Sequence, residues 1–274
     1  MWSAGTIRSG GTQGSGQRTN VDFQTDGVSV GADYRVNGRF AWGGGFGWAR
    51  DDSDVGQHDS RSDATAQTIA LYASYHPGQR WFVDGLIGYQ NLSFDLARYL
   101  TANGGRVDAN RDGRQWLASL SVGADLAFGQ GLTLTPYGRV DVAHGTLDGY
   151  VEQGDAFYAL RYASMDVATT TGNAGMKLDF RRRIGWGWFA PLLRMEYQHD
   201  FQGRSTARFG YADVLGAMPY SSTAADQDRN RFNVSAGAQL QTEGGFSTRL
   251  EVQSTLGNGS DSDHGVMLNI EKRY

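Results

Sequence analysis

The chain has 274 residues, with 25 basic against 29 acidic side chains for a formal net charge of −4, 39 glycines, 4 prolines and no cysteine. A mean hydropathy of −0.47, and no run near the roughly 18 charge-free apolar residues of a spanning helix, exclude a helical membrane protein. Without cysteine there is no disulfide frame, thiolate nucleophile or cysteine-ligated metal, and a pI near 5.7 argues against a nucleic-acid partner. Glycine at roughly twice ordinary usage, together with abundant aromatics, suits strands and turns, so the working class is all-β. Met1, Trp2 and Ser3 carry neither a basic n-region nor an apolar h-region, so the leader of an exported protein would lie outside this chain.

Along the chain, breaks of two kinds alternate. Tight ones fall at Asn37-Gly38, Pro77-Gly78-Gln79, Gly129-Gln130-Gly131, Ile184-Gly185 and Glu243-Gly244-Gly245, each the size of a hairpin turn. Longer polar ones run from Gly10 to Gln17, Asp51 to Asp63, Thr101 to Gly113, Val151 to Asp166, Gly203 to Asn230 and Asn258 to His264. Five turns and six loops join twelve strands, the pattern of an up-and-down sheet whose two rims face different compartments.

The segments between breaks alternate with period two. Val28, Val30, Ala32, Tyr34 and Val36 oppose Ser29, Gly31, Asp33 and Arg35. In the third strand Gly43, Gly45 and Gly47 share one face and leave it nearly bare, which suits either sheet curvature or clearance for a chain passing close to the wall. Trp116, Ala118, Leu120, Val122, Ala124, Leu126 and Phe128 oppose Gln115, Ser119, Ser121, Gly123 and Asp125. Leu132, Leu134, Val140 and Val142 oppose Thr133, Thr135, Tyr137, Arg139 and Asp141, and Phe232 to Leu240 splits the same way. A soluble sandwich also alternates, but its aromatics fall mid-strand. Here Tyr34, Trp42, Tyr75, Trp81, Phe128, Trp186, Phe246 and Tyr274 sit beside the short turns or the chain end, as an interfacial girdle requires.

A sheet in lipid must close, because unpaired backbone groups there cost several kcal/mol each. The expected fold is therefore a closed antiparallel up-and-down transmembrane β-barrel of twelve strands, one domain over residues 1–274. Its polar faces, carrying Asp33, Arg35, Asp84, Asp125, Arg139, Asp141, Lys177, Asp179, Arg194, Glu196, Arg249, Glu251, Glu271 and Arg273, would line a wet lumen. Arg139/Asp141, Arg194/Glu196 and Arg249/Glu251 recur every 55 residues, which puts them on alternate strands at one height. They read as a self-satisfying charge lattice or as contacts for a polypeptide in the lumen. Pro136 and Pro191 each remove a ladder donor, so a bulge or local edge is expected there.

At this point the sequence resembles the C-terminal translocator barrel of the autotransporter family, the type V secretion proteins of Gram-negative outer membranes. The stretches that carry the resemblance are Thr25 to Arg35, Trp81 to Gly85, Thr135 to Asp141, Thr146 to Tyr150, Tyr158 to Tyr162 and Arg194 to Phe201. It implies an outer-membrane barrel that exports and anchors an N-terminal passenger. The implied partners are the lipid bilayer, the passenger and the barrel-assembly machinery, the barrel is a monomer, and no cofactor is implied. Long loops would be extracellular, and short turns and both termini periplasmic. The family's linker helix and passenger would precede Met1. Val266, Leu268, Ile270 and Tyr274 resemble an outer-membrane assembly signal, with Lys272 departing from it.

Searches for chemistry find none. His58, His76, His144, His199 and His264 scatter without metal spacing, no nucleophile elbow accompanies His199-Asp200, and Gly43-Gly44-Gly45 belongs to no phosphate-binding unit. Any enzymatic activity is expected in the passenger. The rival readings are a passive porin-like diffusion channel and, behind it, an outer-membrane hydrolase barrel.

Overall fold

The computed structural model describes residues 1–12, 19–56, 58–202, 205–214, 216, 218–223, 229–257 and 261–272. Among them, twelve long strands form one antiparallel barrel. They are β1 (Trp2–Thr12), β2 (Val21–Arg35), β3 (Phe40–Val55), β4 (Ser60–Tyr75), β5 (Trp81–Tyr99) and β6 (Arg106–Ala124). The second half comprises β7 (Leu132–Leu147), β8 (Met165–Phe180), β9 (Gly187–Asp200), β10 (Asn230–Thr242), β11 (Phe246–Gly257) and β12 (Asp261–Lys272). Each pairs with its sequence neighbours, and β1 closes the ring on β12 in the register Trp2↔Glu271 to Ile7↔Val266. Closure leaves no edge, the condition for a sheet in hydrocarbon.

Alternation decides the faces. Leu250 and Val252 are half exposed, whereas Glu251 between them is 3% exposed. The same inversion runs through Val28, Val30, Ile69, Leu71, Ile87, Leu120, Val122, Val140, Val142 and Leu268, all exposed, against buried Thr171, Asn173, Glu196 and Ser235. The apolar face is therefore the outside of the barrel and the polar face its interior. Tyr34, Trp42, Tyr75, Trp81, Phe128, Trp186 and Phe246 are exposed near the short turns, while Tyr274 lies outside the described residues.

Several expected loops are in fact strand. The break placed at Asp51 to Asp63 shrinks to a turn after Val55, because β3 and β4 pair out to Val55↔Ser60. The one at Thr101 to Gly113 begins at Leu100 but ends where β6 starts, at Arg106. Met165 and Asp166 belong to β8, and Asp263 and His264 to β12. The reason is height. A tilted strand needs about 9–11 residues to cross the hydrocarbon, and β5 and β6 have 19 each. The excess stands in water, where neither face must be apolar, and the period-two signal fades.

The prolines interrupt the ladder without a bulge. Pairing of β6 with β7 stops at Gly123↔Tyr137 and resumes at Leu126↔Leu134 in unchanged register, the gap lying opposite Pro136. Pairing of β8 with β9 stops at Asp179↔Leu192 and resumes at Arg182↔Phe189, with Pro191 in the gap. Each proline lacks only its own N–H, so one bond is lost and the strand stays straight.

Candidate luminal site

Charged residues of the interior face form a belt that steps over every second strand. Arg139 on β7 bonds Asp141 two residues along at 2.9 Å and reaches across β8 to Glu196 on β9 at 3.0 Å. Arg194 on β9 reaches across β10 to Glu251 on β11 at 3.5 Å. The pairing runs across strands, Arg139 with Glu196 and Arg194 with Glu251, while Arg249 donates to Gln239 at 2.9 Å. The strands stepped over present small or amide side chains. Asn173 donates to Asp141 at 2.8 Å, and Ser235 donates to Glu251 at 2.7 Å. Tyr137 donates to Glu196 at 2.7 Å, and Ser119 donates to Asp141 at 2.6 Å. Lys177 and Asp179 pair at 3.3 Å, and Asp125 accepts from Thr135 at 2.6 Å. Among the described residues, Asp84 Oδ1 and Glu251 Oε2 are buried without a hydrogen-bond partner.

The glycine strip is not bare. A Cβ on Gly43 would lie 2.5 Å from the Tyr72 hydroxyl, and one on Gly45 would lie 3.1 Å from the Trp2 ring. Those rings, from β4 and β1, occupy the clearance expected for a passing chain. A Cβ on Gly47 would meet nothing nearer than Ser29 and Thr68 at 3.8 Å among the described residues. Trp2 Nε1 donates to Tyr72 at 2.6 Å, and the Tyr72 hydroxyl donates to Asp33. The same arrangement recurs around the wall: Phe82 covers its cross-strand partner Gly123, and Tyr137 covers Gly175, with Cβ clearances of 2.4 and 2.6 Å. Glycine gives an inward ring room against the sheet. Arg35 sits exposed at the end of β2, and Glu271 pairs in register with Trp2. Val266, Leu268 and Ile270 point outward on β12, while Arg273 and Tyr274 lie outside the described residues.

A second assembly, with no signal in the sequence pattern, lies beyond the end of β5 and the start of β6. Short strands Tyr150–Val151, Leu160–Tyr162, Thr206–Tyr211 and Tyr220–Thr223 form their own sheet. Its core joins Leu100, Val107 and Ala159, with Ala212 packed against them. Val107 shares the β6 face of Ser119 and Ser121, so this cap sits on the continuation of the interior face. Arg98 clamps buried Glu152 in a two-pronged bond at 2.8 and 2.5 Å, and Glu152 also accepts from the Leu160 N–H at 2.8 Å. That hydrogen bonding raises the Arg98 pKa further. Asp155 accepts from the N–H groups of Tyr158 and Phe157 at 2.8 Å each and from Asn103 at 2.9 Å, which holds its carboxyl below the usual range. His199 and Tyr197 both contact Asn230 Oδ1, at 2.8 and 2.6 Å.

With this geometry in hand, comparison with known proteins is decisive. Residues 1–253 match the family described as Autotransporter beta-domain. The chain belongs to the autotransporter family. As such a β-domain it is an outer-membrane translocator barrel. It is 30% identical over 274 residues to YaiT of Escherichia coli K12, a match covering 97% of this chain and 26% of YaiT. It is 26% identical over 204 residues to Esterase EstA of Pseudomonas aeruginosa, covering 69% of this chain and 31% of EstA. The chain thus spans only about a quarter to a third of the length of these relatives. The translocator domain of autotransporter NalP from Neisseria meningitidis superimposes with a TM-score of 0.82 at 15% identity, over 100% of this chain and 88% of that one.

Proposed function

We propose that this barrel exports an N-terminal passenger through its lumen and keeps it at the cell surface. The observation that carries the reading is the belt of Arg139, Glu196, Arg194 and Glu251, whose charges pair with one another within the wall of the interior. Asp33, Arg35, Asp84, Asp125, Asp141, Lys177, Asp179, Arg249 and Glu271 line the same passage. The cap and long loops face the exterior, and the short turns, the start of β1 and the end of β12 face the periplasm. The barrel works as a monomer in lipid and is inserted by the barrel-assembly machinery, which reads Val266, Leu268, Ile270 and Tyr274. Catalysis, where present, belongs to the passenger. The match to Esterase EstA covers the barrel-sized 31% of that protein, which is consistent with esterase chemistry lying in the remainder.

The test is surface display. A full-length protein, expressed in a Gram-negative host and treated with external protease, should release passenger from intact cells, and removal of the barrel should abolish this. A passenger that reaches the surface without the barrel would overturn the reading. A diffusion channel would instead admit small solutes and leave the passenger inside.

A further inference from the structure

Trp2, Tyr72 and Asp33 come from β1, β4 and β2, so their bonds tie the start of the first strand to the wall three strands away. The Tyr72 hydroxyl is fully used. It accepts from Trp2 Nε1 at 2.6 Å and donates to the Asp33 carboxylate, with the Ala32 carbonyl 3.4 Å away as a second acceptor. The floor is glycine: a Cβ on Gly31 would sit 2.5 Å from the Trp2 ring and 2.7 Å from the Gly44 carbonyl, so only a bare backbone lets the indole cross β2. The ring centroids of Trp2 and Tyr72 are 6.2 Å apart.

The place of this contact gives it a role. The main chain at Met1 still belongs to the wall, its nitrogen bonded to the Lys272 carbonyl at 3.2 Å and its carbonyl bonded by the Lys272 N–H at 2.9 Å. Trp2 is therefore the first side chain of β1 that points inward, at the end of the barrel with the short turns. A chain that runs inside the lumen and then becomes β1 must reverse direction beside it.

Resting on the translocator reading above, we propose that Trp2, Tyr72 and Asp33 form a strap that fixes this reversal, making Trp2 and Tyr72 positioning residues for export. Without the strap, Met1 is held by β12 alone, and the turn swings with the free end of β1. With it, the chain meets the lumen at one place, over the Trp2 and Tyr72 rings.

The test uses the full-length protein with its passenger. Tyr72→Phe removes both bonds and keeps the ring on Gly43; Trp2→Phe removes the donor. Asp33→Asn keeps an acceptor for the phenol, so the turn should hold its position in that variant. Because the chain has no cysteine, nitroxides at Met1→Cys and Ser74→Cys report the position of the turn. The unaltered protein should give one narrow distance distribution. Both phenylalanine variants should broaden it and slow passenger appearance at the surface several-fold, with heat-modifiable gel mobility unchanged. An unchanged distribution, or a broadened one with unaltered export, would overturn the strap. If Trp2→Phe fails to assemble, Tyr72→Phe carries the same test, since its packing surface remains. An unaltered protein that displays no passenger would instead sink the translocator reading, and the distance measurement would still decide the strap.

Discussion

Gly175→Ala should destabilise the barrel far more than one methyl group suggests. The new Cβ would fall 2.6 Å from Tyr137 Cζ, 2.7 Å from its hydroxyl oxygen and 2.9 Å from the Met195 carbonyl. The carbonyl belongs to the sheet and resists movement, so Tyr137 must swing away and give up its 2.7 Å bond to Glu196. Overpacking of this kind costs about 1–3 kcal/mol, and a hydrogen bond to a charged group contributes about 1.5–3 kcal/mol. Arg139 stays on Glu196, so no carboxylate is orphaned and the total should fall near ~3 kcal/mol. Gly138→Ala is the control. Its Cβ would have one neighbour, at 3.9 Å, and it should shift stability by no more than ~0.5 kcal/mol. In the Tyr137→Ala background, Gly175→Ala should lose most of its effect, a coupling of at least about 1.5 kcal/mol. Urea unfolding in lipid vesicles, followed by heat-modifiable mobility, measures all four proteins. Equal stabilities for Gly175→Ala and Gly138→Ala would refute the argument.

The face assignment predicts that Leu120→Arg costs about 2–4 kcal/mol of folding stability in vesicles and Ser121→Arg little, and equal losses would contradict it. Glu152→Ala removes both Arg98 prongs and the Leu160 N–H acceptor. Trypsin should then cut at Arg161 faster while the barrel keeps its heat-modifiable mobility; an unchanged cleavage rate would mean the clamp does not hold the cap. Asp155, with its pKa lowered by backbone N–H groups, supports its turn fully at neutral pH, above the ordinary carboxylate range. That support should be lost only as pH falls below this range and through the lowered value. Cleavage at Arg161 by an acid-active mixture of proteases should therefore stay flat from pH 7 to 5, and a rise within that window would count against this role.

The barrel was readable because period two survives wherever lipid lies on one side and water on the other, as in Trp116 to Val122. It fades in Asp52 to Val55 and Arg106 to Arg111, where strands longer than a membrane span carry polar residues on both faces and read as loops. The cap was invisible for a related reason: strands of two to six residues such as Tyr150–Val151 carry no period, and their core joins Leu100 to Ala159 and Ala212 from three separate segments. The charges of the belt were legible one by one, but their partners were not. Arg139 and Glu196 stand 57 residues apart, as do Arg194 and Glu251, and only the closed sheet reveals that strands are skipped. The glycine strip misled because a glycine's emptiness says nothing of the neighbour that fills it; Trp2 and Tyr72 are 70 residues apart.

The central claim is that the passenger passes through the interior of this barrel, and photocrosslinking during export tests it most directly. Place a photoreactive residue at Ser119 or Ser121, which face the belt, and at Leu120 or Val122, which face lipid, then stall export with a tightly folded domain fused to the passenger. Adducts to the passenger should form from positions 119 and 121 and be absent from 120 and 122. Adducts from the lipid-facing positions alone, or equally from both faces, would contradict the account.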